Sequence, residues 1–375
     1  MKRLVFLLLG AVLLAATVAA GCGSSAPGDA VNKAIQNNST IKTGHVDYNL
    51  VLDIQGDASA LGPQYAALLP LHLTVDGGVD VDQSNQSNIK AQGDIKLGGL
   101  DKVISGLAQA GGASGMESQL GATIASSLAS DIQFGMLDNV LYVKLAGSWY
   151  QMPVPTGSAA GAMTTTTPAN SSCYENALKD SSKFGSGTIF KDLTDAGTES
   201  IDGVNTHHYT ASINFDTLLT QMANTSRDCG NASAAGGLEA AKGEIGNVFK
   251  TASVDMWVGD DNYFHQVKLN LQLDPSTVSG LLGSLSSGSS GSSRQGENLL
   301  KALKTVTLTV TLKQSKINQS MNITKPQGPI QNLSDLAGSF GIGGTSGSSS
   351  GSSTTLPPND GSGTGTDTGA GLNST

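Results

Sequence analysis

Apolar and polar residues alternate with a period of two along several segments of the chain, the pattern of β-strands with one apolar and one polar face. The alternating positions of the predicted inward face are Val46, Tyr48, Leu50, Leu52 and Ile54; Leu71, Leu73, Val75, Val79 and Val81; Ile89, Ala91, Ile95 and Leu97; Tyr209, Ala211 and Ile213; Val254, Met256 and Val258; His265, Val267, Leu269, Leu271 and Leu273; and Val306, Leu308, Val310 and Leu312. Two shorter strands flank the turn at Leu137-Asp138-Asn139. Strands this close in sequence predict an antiparallel meander.

The second segment keeps its phase across Gly77 and Gly78, which predicts one long strand bent at the glycines. A hairpin at the glycines is the alternative.

Helical spacing of apolar residues occurs in five places. These are Ala30 to Gln36, Leu100 to Ala110, Met116 to Leu128, Phe215 to Met222 and Leu238 to Phe249. No second set of strands is available to cover the apolar face of the sheet, so the helices must cover it. The predicted fold class is α+β, a large curved antiparallel sheet with amphipathic helices on its concave face.

The N-terminus has the layout of a secretory signal, with Lys2 and Arg3 followed by the uncharged apolar stretch Leu4 to Ala20. This stretch is short for a membrane span, which needs about 20 apolar residues. The residues Ala19-Ala20-Gly21-Cys22 resemble a bacterial lipobox, although Ala19 stands where that pattern prefers leucine. We therefore expect a signal peptide over residues 1–21 and a lipidated tether over residues 22–29. An ordinary secretory cut and an uncleaved anchor are the alternatives.

Lipidation at Cys22 makes the membrane the expected location, on the extracytoplasmic face. Two or three acyl chains such as palmitate, at about 0.8 kcal/mol per buried methylene, hold a domain on a bilayer essentially permanently. Removal of the signal moves the formal charge from −9 to −11, because Lys2 and Arg3 are lost. Such an acidic chain lacks the basic footprint of a nucleic-acid-binding protein.

Low-complexity segments set the domain limits. Residues 341–375 are almost entirely Gly, Ser, Thr, Pro and Asp, too poor in apolar residues to fold, and predict a disordered tail. Residues 30–340 then form one enlarged domain with Gly/Ser-rich insertions at Gly157 to Ser172 and Ser276 to Ser293.

The two remaining cysteines, Cys173 and Cys229, would meet an oxidising compartment after export, where leftover cysteines most often pair. Two unrelated buried thiols are the alternative. A zinc site is less favoured, because neither cysteine has a further cysteine or a histidine at ligand spacing.

No pattern of residues predicts catalysis or a metal site. His207 and His208 are adjacent on a strand and face opposite sides, while His45, His72 and His265 lie on separate strands. A Gly-x-Ser-x-Gly elbow is absent from the sequence, and the paired glycines lack the context of a phosphate loop. We expect no enzyme, no metal and no cofactor.

Several strand and turn motifs resemble the LppX/LprAFG family of actinobacterial cell-envelope lipoproteins, whose fold is similar to the lipoprotein carrier LolA. They are "LYVKLAGSWYQMP" with Tyr142, Trp149 and Tyr150, "IDGVNTHHYTASIN", and "VDMWVGDDNYFHQVKL". The resemblance covers most of the chain between Ala30 and Ile323. The insertions, the two cysteines and the tail are additions to the family pattern.

The resemblance implies a half-barrel with a hydrophobic cavity between the sheet and its helices, which holds the acyl chains of a lipid or lipoglycan. The function it implies is lipid binding and transport or presentation in the cell envelope, with an envelope transport protein as a further partner. The expected cavity-lining residues are Tyr48, Leu50, Leu52, Leu73, Val75, Ile89, Ile95, Val267, Leu269, Leu271, Val306, Leu308 and Val310.

A filled core has the same sequence pattern as a cavity wall. The alternative function is therefore a structural or sensory envelope lipoprotein that uses the fold as a protein- or cell-wall-interaction module without lipid cargo.

Overall fold

Twelve strands form one sheet in the computed structural model, which describes residues 27–61, 69–85, 88–103, 131–145, 147–154, 173, 185–275, 277 and 302–333. All of these belong to one compact unit, Met1–Leu333. The strands are β1 Thr43–Gly56, β2 Leu71–Asp82, β3 Lys90–Gly98, β4 Ile132–Leu137, β5 Val140–Leu145, β6 Ser148–Pro153, β7 Phe190–Ile201, β8 Val204–Ile213, β9 Phe249–Gly259, β10 Phe264–Leu273, β11 Leu303–Ser315 and β12 Ile330–Asn332. The helices are α1 Pro27–Asn38, α2 Ser186–Ile189, α3 Phe215–Asp228 and α4 Ala232–Val248, with a 3-10 turn at Ala58–Leu61.

The sheet consists of two antiparallel meanders joined side by side. Its strand order is β12-β6-β5-β4-β3-β2-β1-β11-β10-β9-β8-β7. Strands β1 to β6 form one meander and β7 to β11 the other, and the pairing of β1 with β11 unites them. All neighbours are antiparallel except β12, which pairs parallel to β6. The predicted α+β fold with a large curved antiparallel sheet is confirmed.

The register of β1 gives the sheet one apolar and one polar face. Leu50 lies opposite both Val310 of β11 and Val75 of β2, and side chains that lie opposite each other share a face. We call the face that carries Tyr48, Leu50 and Leu52 the apolar face and the other the polar face. Strand β2 runs unbroken from Leu71 to Asp82, so the single-strand prediction is confirmed and the hairpin alternative is wrong.

Tyr48 fills the space left by Gly77 on the apolar face. Gly77 lies opposite Tyr48 on one side and Ile95 on the other. The Tyr48 hydroxyl reaches over the glycine and donates a hydrogen bond of 2.7 Å to the backbone oxygen of Asp94 in β3. Burial and the charge of Asp94 raise the pKa of the Tyr48 phenol, which keeps the donor protonated. Glycine is therefore required at position 77 for packing.

Left-handed residues close two of the two-residue hairpins, β4–β5 and β7–β8. Asp138 and Asn139 have φ values of 52° and 59°, and Asp202 and Gly203 have φ values of 50° and 82°. Two consecutive residues with positive φ match the right-handed twist of the flanking strands. The predicted turn at Leu137-Asp138-Asn139 is confirmed.

Helix α1 packs on the apolar face of the β8–β10 region. Its residues Val31, Ala34 and Ile35 are 0%, 0% and 3% exposed and contact a cluster that includes Tyr209 and Met256. Full burial of an aliphatic side chain contributes about 1.5–3 kcal/mol, so α1 is an integral part of the core. Among the described residues, no helix is both long and apolar enough to cross a bilayer.

Helices α3 and α4 form a pair through Leu219, Ala223 and Leu238. An asparagine caps each N-terminus: Asn214 accepts a hydrogen bond from the Thr217 N–H and Asn231 accepts one from the Ala234 N–H. The helix predictions at Ala30–Gln36, Phe215–Met222 and Leu238–Phe249 are confirmed, although α1 and α3 extend further and α4 begins earlier. The predicted helix at Leu100–Ala110 is described only to residue 103, and Met116–Leu128 lies outside the described residues.

The hydrophobic pattern of the sequence does not predict two of the strands, β7 and β12. Strand β7 is an edge strand, exposed along most of its length, with register shifts after Lys191 and after Asp195. An edge strand with bulges buries little on either face, so it has no period-two pattern. Strand β12 has three residues, too few to show any periodicity.

Cys173 forms a disulfide with Cys229, the residue that follows α3, with the two Cα atoms 5.6 Å apart. The predicted pairing is confirmed and the alternative of two separate thiols is wrong.

We expect Gly77→Ala to destabilise the protein by about 3 kcal/mol, because the added methyl group overlaps the Asp94 carbonyl oxygen and the Tyr48 hydroxyl. The matched control is Gly236→Ala in α4, where the methyl group meets no atom within 4 Å. That control should gain up to about 1 kcal/mol from helix propensity. Urea denaturation measures both variants, and equal midpoints for the two would contradict the packing role of Gly77.

The double variant Cys173→Ser/Cys229→Ser should lose about 4 kcal/mol of stability, since the disulfide joins residues separated by 56 positions. Urea denaturation under non-reducing conditions measures the loss. Cys22→Ser is the control and should unfold at the parent midpoint. If the double variant also keeps that midpoint, the disulfide contributes nothing to stability.

Candidate functional site

Apolar side chains from neighbouring strands align in rows across the apolar face. One row crosses seven strands and consists of Ala211, Val254, Leu269, Val310, Leu50, Val75 and Leu97. A second row crosses five strands and consists of Ala252, Leu271, Leu308, Leu52 and Leu73. The face is therefore continuous from one meander to the other.

The side chains of the first row are less buried on the N-terminal side of the junction between the two meanders. Val254, Leu269 and Val310 are 2%, 7% and 2% exposed. Leu50 and Val75, the next residues of the row, are only half-buried. The apolar face is thus tightly packed in the C-terminal meander and less closely covered in the N-terminal one.

Twelve of the thirteen predicted lining residues lie on this face. They are Tyr48, Leu50, Leu52, Leu73, Val75, Ile95, Val267, Leu269, Leu271, Val306, Leu308 and Val310. Ile89 is the exception: it precedes β3 and is 39% exposed. The β2–β3 ladder ends at the pair Asp82 and Lys90, so Ile89 has no cross-strand neighbour to cover it. Its role as a lining residue stays a prediction.

An open cleft of about 640 Å³ lies where β8 ends, α3 begins and β9 begins. Its lining residues are Lys191, Ser212, Ile213, Asn214, Phe215, Asp216, Phe249, Lys250, Thr251, Ala252 and Ser253. The rings of Phe215 and Phe249 stack with centroids 4.6 Å apart and pack against the cluster of Leu269, Leu271 and Val310. The cleft therefore has an aromatic wall that continues into the apolar rows.

None of the predicted lining residues borders this cleft. Its residues come from the ends of strands and the start of a helix, where the alternation that revealed the strands stops. A second cavity, beside Val267 and Leu312, has a volume of about 10 Å³ and has room for about one water molecule.

Histidines lie on both faces of the sheet and pair with carboxylates. On the polar face, His45 lies 2.7 Å from Asp80 and 3.0 Å from Asp47, and His72 lies 2.6 Å from Asp53. Asp80 and Asp53 belong to neighbouring strands and are far away in sequence, so residue spacing along the chain could not reveal them.

His208 belongs to a polar ladder that crosses five strands. Its two ring nitrogens lie 2.9 Å from Glu199 and 3.2 Å from Asp255. Asn270 donates to Asp255, and Thr309 donates to Asn270. His207 points to the opposite face, beside Tyr209, as the strand geometry predicted.

Trp257 lies beneath this ladder on the polar face and stacks on His208 with ring centroids 4.3 Å apart. It is 7% exposed, and its indole N–H has no hydrogen-bond acceptor among the described residues. Among those residues, no group of three or more His, Cys, Asp or Glu side chains could hold a metal ion.

We expect His45 to make the stability of the fold pH-dependent. Burial alone lowers the pKa of His45, but hydrogen bonds and charges from Asp47 and Asp80 outweigh it and raise the pKa above 6.5. Because the pKa of His45 is raised in the folded state, its protonation stabilises the fold in full below pH 6.5. This stabilisation is lost as the pH rises through the folded-state pKa of His45. The stability difference between the parent and His45→Gln should therefore shrink as the solution becomes alkaline.

Urea denaturation over a pH series measures this difference, and Asp80→Asn serves as the second variant. Asp80→Asn removes the nearer carboxylate but keeps His45, and it should reduce the pH dependence of the unfolding free energy. A difference between the parent and His45→Gln that is the same at every pH would contradict the pairing.

Further predictions fall on residues that the structure does not describe: the lipidation of Cys22, the signal peptide, the insertion at Gly157 to Ser172, and the tail over residues 341–375. They stay predictions.

Comparison with known proteins returns structures of two mycobacterial lipoproteins. LppX from Mycobacterium tuberculosis is 13% identical, with 79% of this chain and 96% of that chain covered and a TM-score of 0.32. LprF from Mycobacterium bovis is 13% identical, with 82% and 100% covered and a TM-score of 0.36. A DUF1329 family protein from Desulfovibrio piger is 8% identical, with 79% and 93% covered and a TM-score of 0.19.

No family model and no curated protein matches the chain. The two lipoproteins bear names of the family that the sequence motifs resemble.

Proposed function

We propose that this chain is a membrane-tethered lipid-binding protein of a bacterial cell envelope. It holds the acyl chains of a lipid or lipoglycan against the apolar face and carries or presents them to a partner. The observation that supports this most is the row through Leu50 and Val75, which is continuous with the packed core and yet only half-buried.

The energetics of this face suit an acyl chain. Burial of apolar surface contributes about 25 cal/mol per Å², or about 0.8 kcal/mol per methylene, so one long chain gains several kcal/mol after its ordering costs. The side chains of the two rows are aliphatic and offer neither a proton donor nor a nucleophile. Such a surface binds without chemical reaction, and we propose no enzymatic activity.

The tether follows from the lipobox-like residues that end at Cys22. Helix α1 begins at Pro27, five positions after Cys22, and is anchored in the core by Val31 and Ile35. A short tether joined to a buried helix keeps the binding face close to the bilayer from which a lipid would come.

Lipid extraction and mass spectrometry of the natively expressed protein test the proposal. We expect a bound lipid with at least one long acyl chain at a reproducible stoichiometry, in addition to the acyl groups on Cys22. If repeated preparations contain no lipid, the carrier function fails and a structural or sensory envelope module takes its place.

The variant Val75→Phe separates a binding surface from a filled core. Val75 is half-buried, so a larger ring should occupy space used by cargo, lower the lipid stoichiometry and leave the urea midpoint close to that of the parent. The matched control is Val310→Phe, at a site 2% exposed, where overpacking should cost about 1–3 kcal/mol. Equal destabilisation of the two variants with unchanged lipid content would show that the face is simply core.

A further inference from the structure

Helix α1 runs from α2 to the β9–β10 turn. At its C-terminus, Asn37 donates to the Asn262 carbonyl and Asn38 accepts from the Phe264 N–H, both at the β9–β10 turn. At its N-terminus, the Gly28 carbonyl accepts from the Ser186 hydroxyl, and the Asn32 side chain accepts from the Ser186 N–H. The start of α1 is thus fixed beside α2, on the side away from the β9–β10 turn.

The cleft lies at the same end as the start of α1. Ser186 begins α2, and the Ile189 carbonyl at the end of α2 accepts a 2.8 Å hydrogen bond from the Asn214 N–H, which belongs to a cleft residue. Lys191, another cleft residue, follows two positions later. The cleft residues of β9 are those at its start, whereas the β9–β10 turn follows its end about 30 Å away.

The length of the tether limits how far this end can lie from a bilayer. Five positions separate Cys22 from Pro27, and a fully extended chain spans at most about 3.6 Å per residue, or about 18 Å. A lipid-anchored Cys22 therefore keeps the start of α1, and the cleft beside it, close to the membrane surface.

The side chains of the cleft suit an anionic lipid surface. Lys191 and Lys250 are exposed, and neither forms an ion pair among the described residues. Asp216 is the carboxylate among the lining residues, so the lysines outnumber it two to one. Phe215 and Phe249 supply an aromatic wall that suits the boundary between headgroups and acyl chains. The chain as a whole carries a charge of −9, so this attraction is local to the cleft.

We propose that the cleft is the membrane-docking surface of the domain, with Lys191 and Lys250 against the phosphates of anionic lipids and the Phe215–Phe249 pair at the mouth of the apolar face. This inference rests on the proposed lipidation of Cys22. On this proposal, lipid passes between the bilayer and the protein at the cleft, and the bilayer lipids that the cleft contacts have anionic headgroups.

Fluorescence quenching on vesicles tests the orientation. The full lipidated protein is labelled with a thiol-reactive fluorophore at Thr251→Cys in the cleft, or at Asp260→Cys in the β9–β10 turn as the matched control. Both variants are reconstituted in phosphatidylcholine vesicles, with and without phosphatidylglycerol, that contain a headgroup-linked nitroxide lipid. We expect strong quenching at position 251 and little at position 260, whereas equal quenching at both positions would overturn the proposal.

Charge variants test the role of the lysines. In the Thr251→Cys background, Lys191→Gln and Lys250→Gln should each shift the docking equilibrium on phosphatidylglycerol vesicles about fivefold toward the undocked state, seen as weaker quenching. Lys42→Gln and Lys90→Gln, at the other end of the sheet, are the controls and should leave quenching unchanged. If quenching is the same with and without phosphatidylglycerol and is unchanged by both cleft lysine substitutions, the proposed contact of the lysines with anionic headgroups is overturned.

Lipid extraction from the same preparations separates this inference from the proposed function. If lipid copurifies but quenching at position 251 is not selective, the docking surface is contradicted and the lipid-binding function is still supported. Selective quenching at position 251 without copurified lipid supports the docking surface and removes the cargo.

Discussion

The pairing of β1 with both β11 and β2 determines which side chains share the apolar face. It brings Leu50 between Val310 and Val75 and so aligns the apolar residues of two separate meanders on one face. A shift of one residue in either pairing would send the apolar side chains of one meander to the polar face. The continuity of the apolar face, and any lipid bound along it, therefore depends on this register.

The two faces of the sheet contribute to its stability in different ways. The polar face joins strands through side chains, and in the N-terminal meander the pairs His45–Asp80 and His72–Asp53 link β1 to β2. Because those contacts hold neighbouring strands together, the N-terminal meander need not obtain all its stability from a fully packed apolar face. This division is consistent with Val310 being buried while Leu50 and Val75 are half-buried.

Much of the sheet could be predicted from local alternation, because a strand with one buried face has a period of two wherever it lies. The neighbours of a strand could not be predicted in this way. The position of β11 beside β1 and the pairing of His45 with Asp80 join residues that are distant in sequence. Ile89 has the correct phase but lies beyond the end of its ladder, and periodicity alone does not show where pairing stops.

The cleft was beyond sequence-based prediction for a related reason. Phe215, Phe249 and Lys191 belong to a helix start and two strand starts that meet only in the folded chain. Each of these residues looks ordinary in its own segment. Their shared position beside the start of α1 gives the cleft its proposed relation to the membrane.

Photocrosslinking with a long-chain fatty acid that carries a photoreactive group near its methyl end tests most directly whether the apolar face holds acyl chains. Tandem mass spectrometry then locates the modified residues. We expect adducts at apolar-face positions of β1, β2 and β3, such as Leu50, Val75 and Leu97. Adducts confined to polar-face positions such as Asn49 and Thr74, or the absence of adducts under saturating fatty acid, would contradict it.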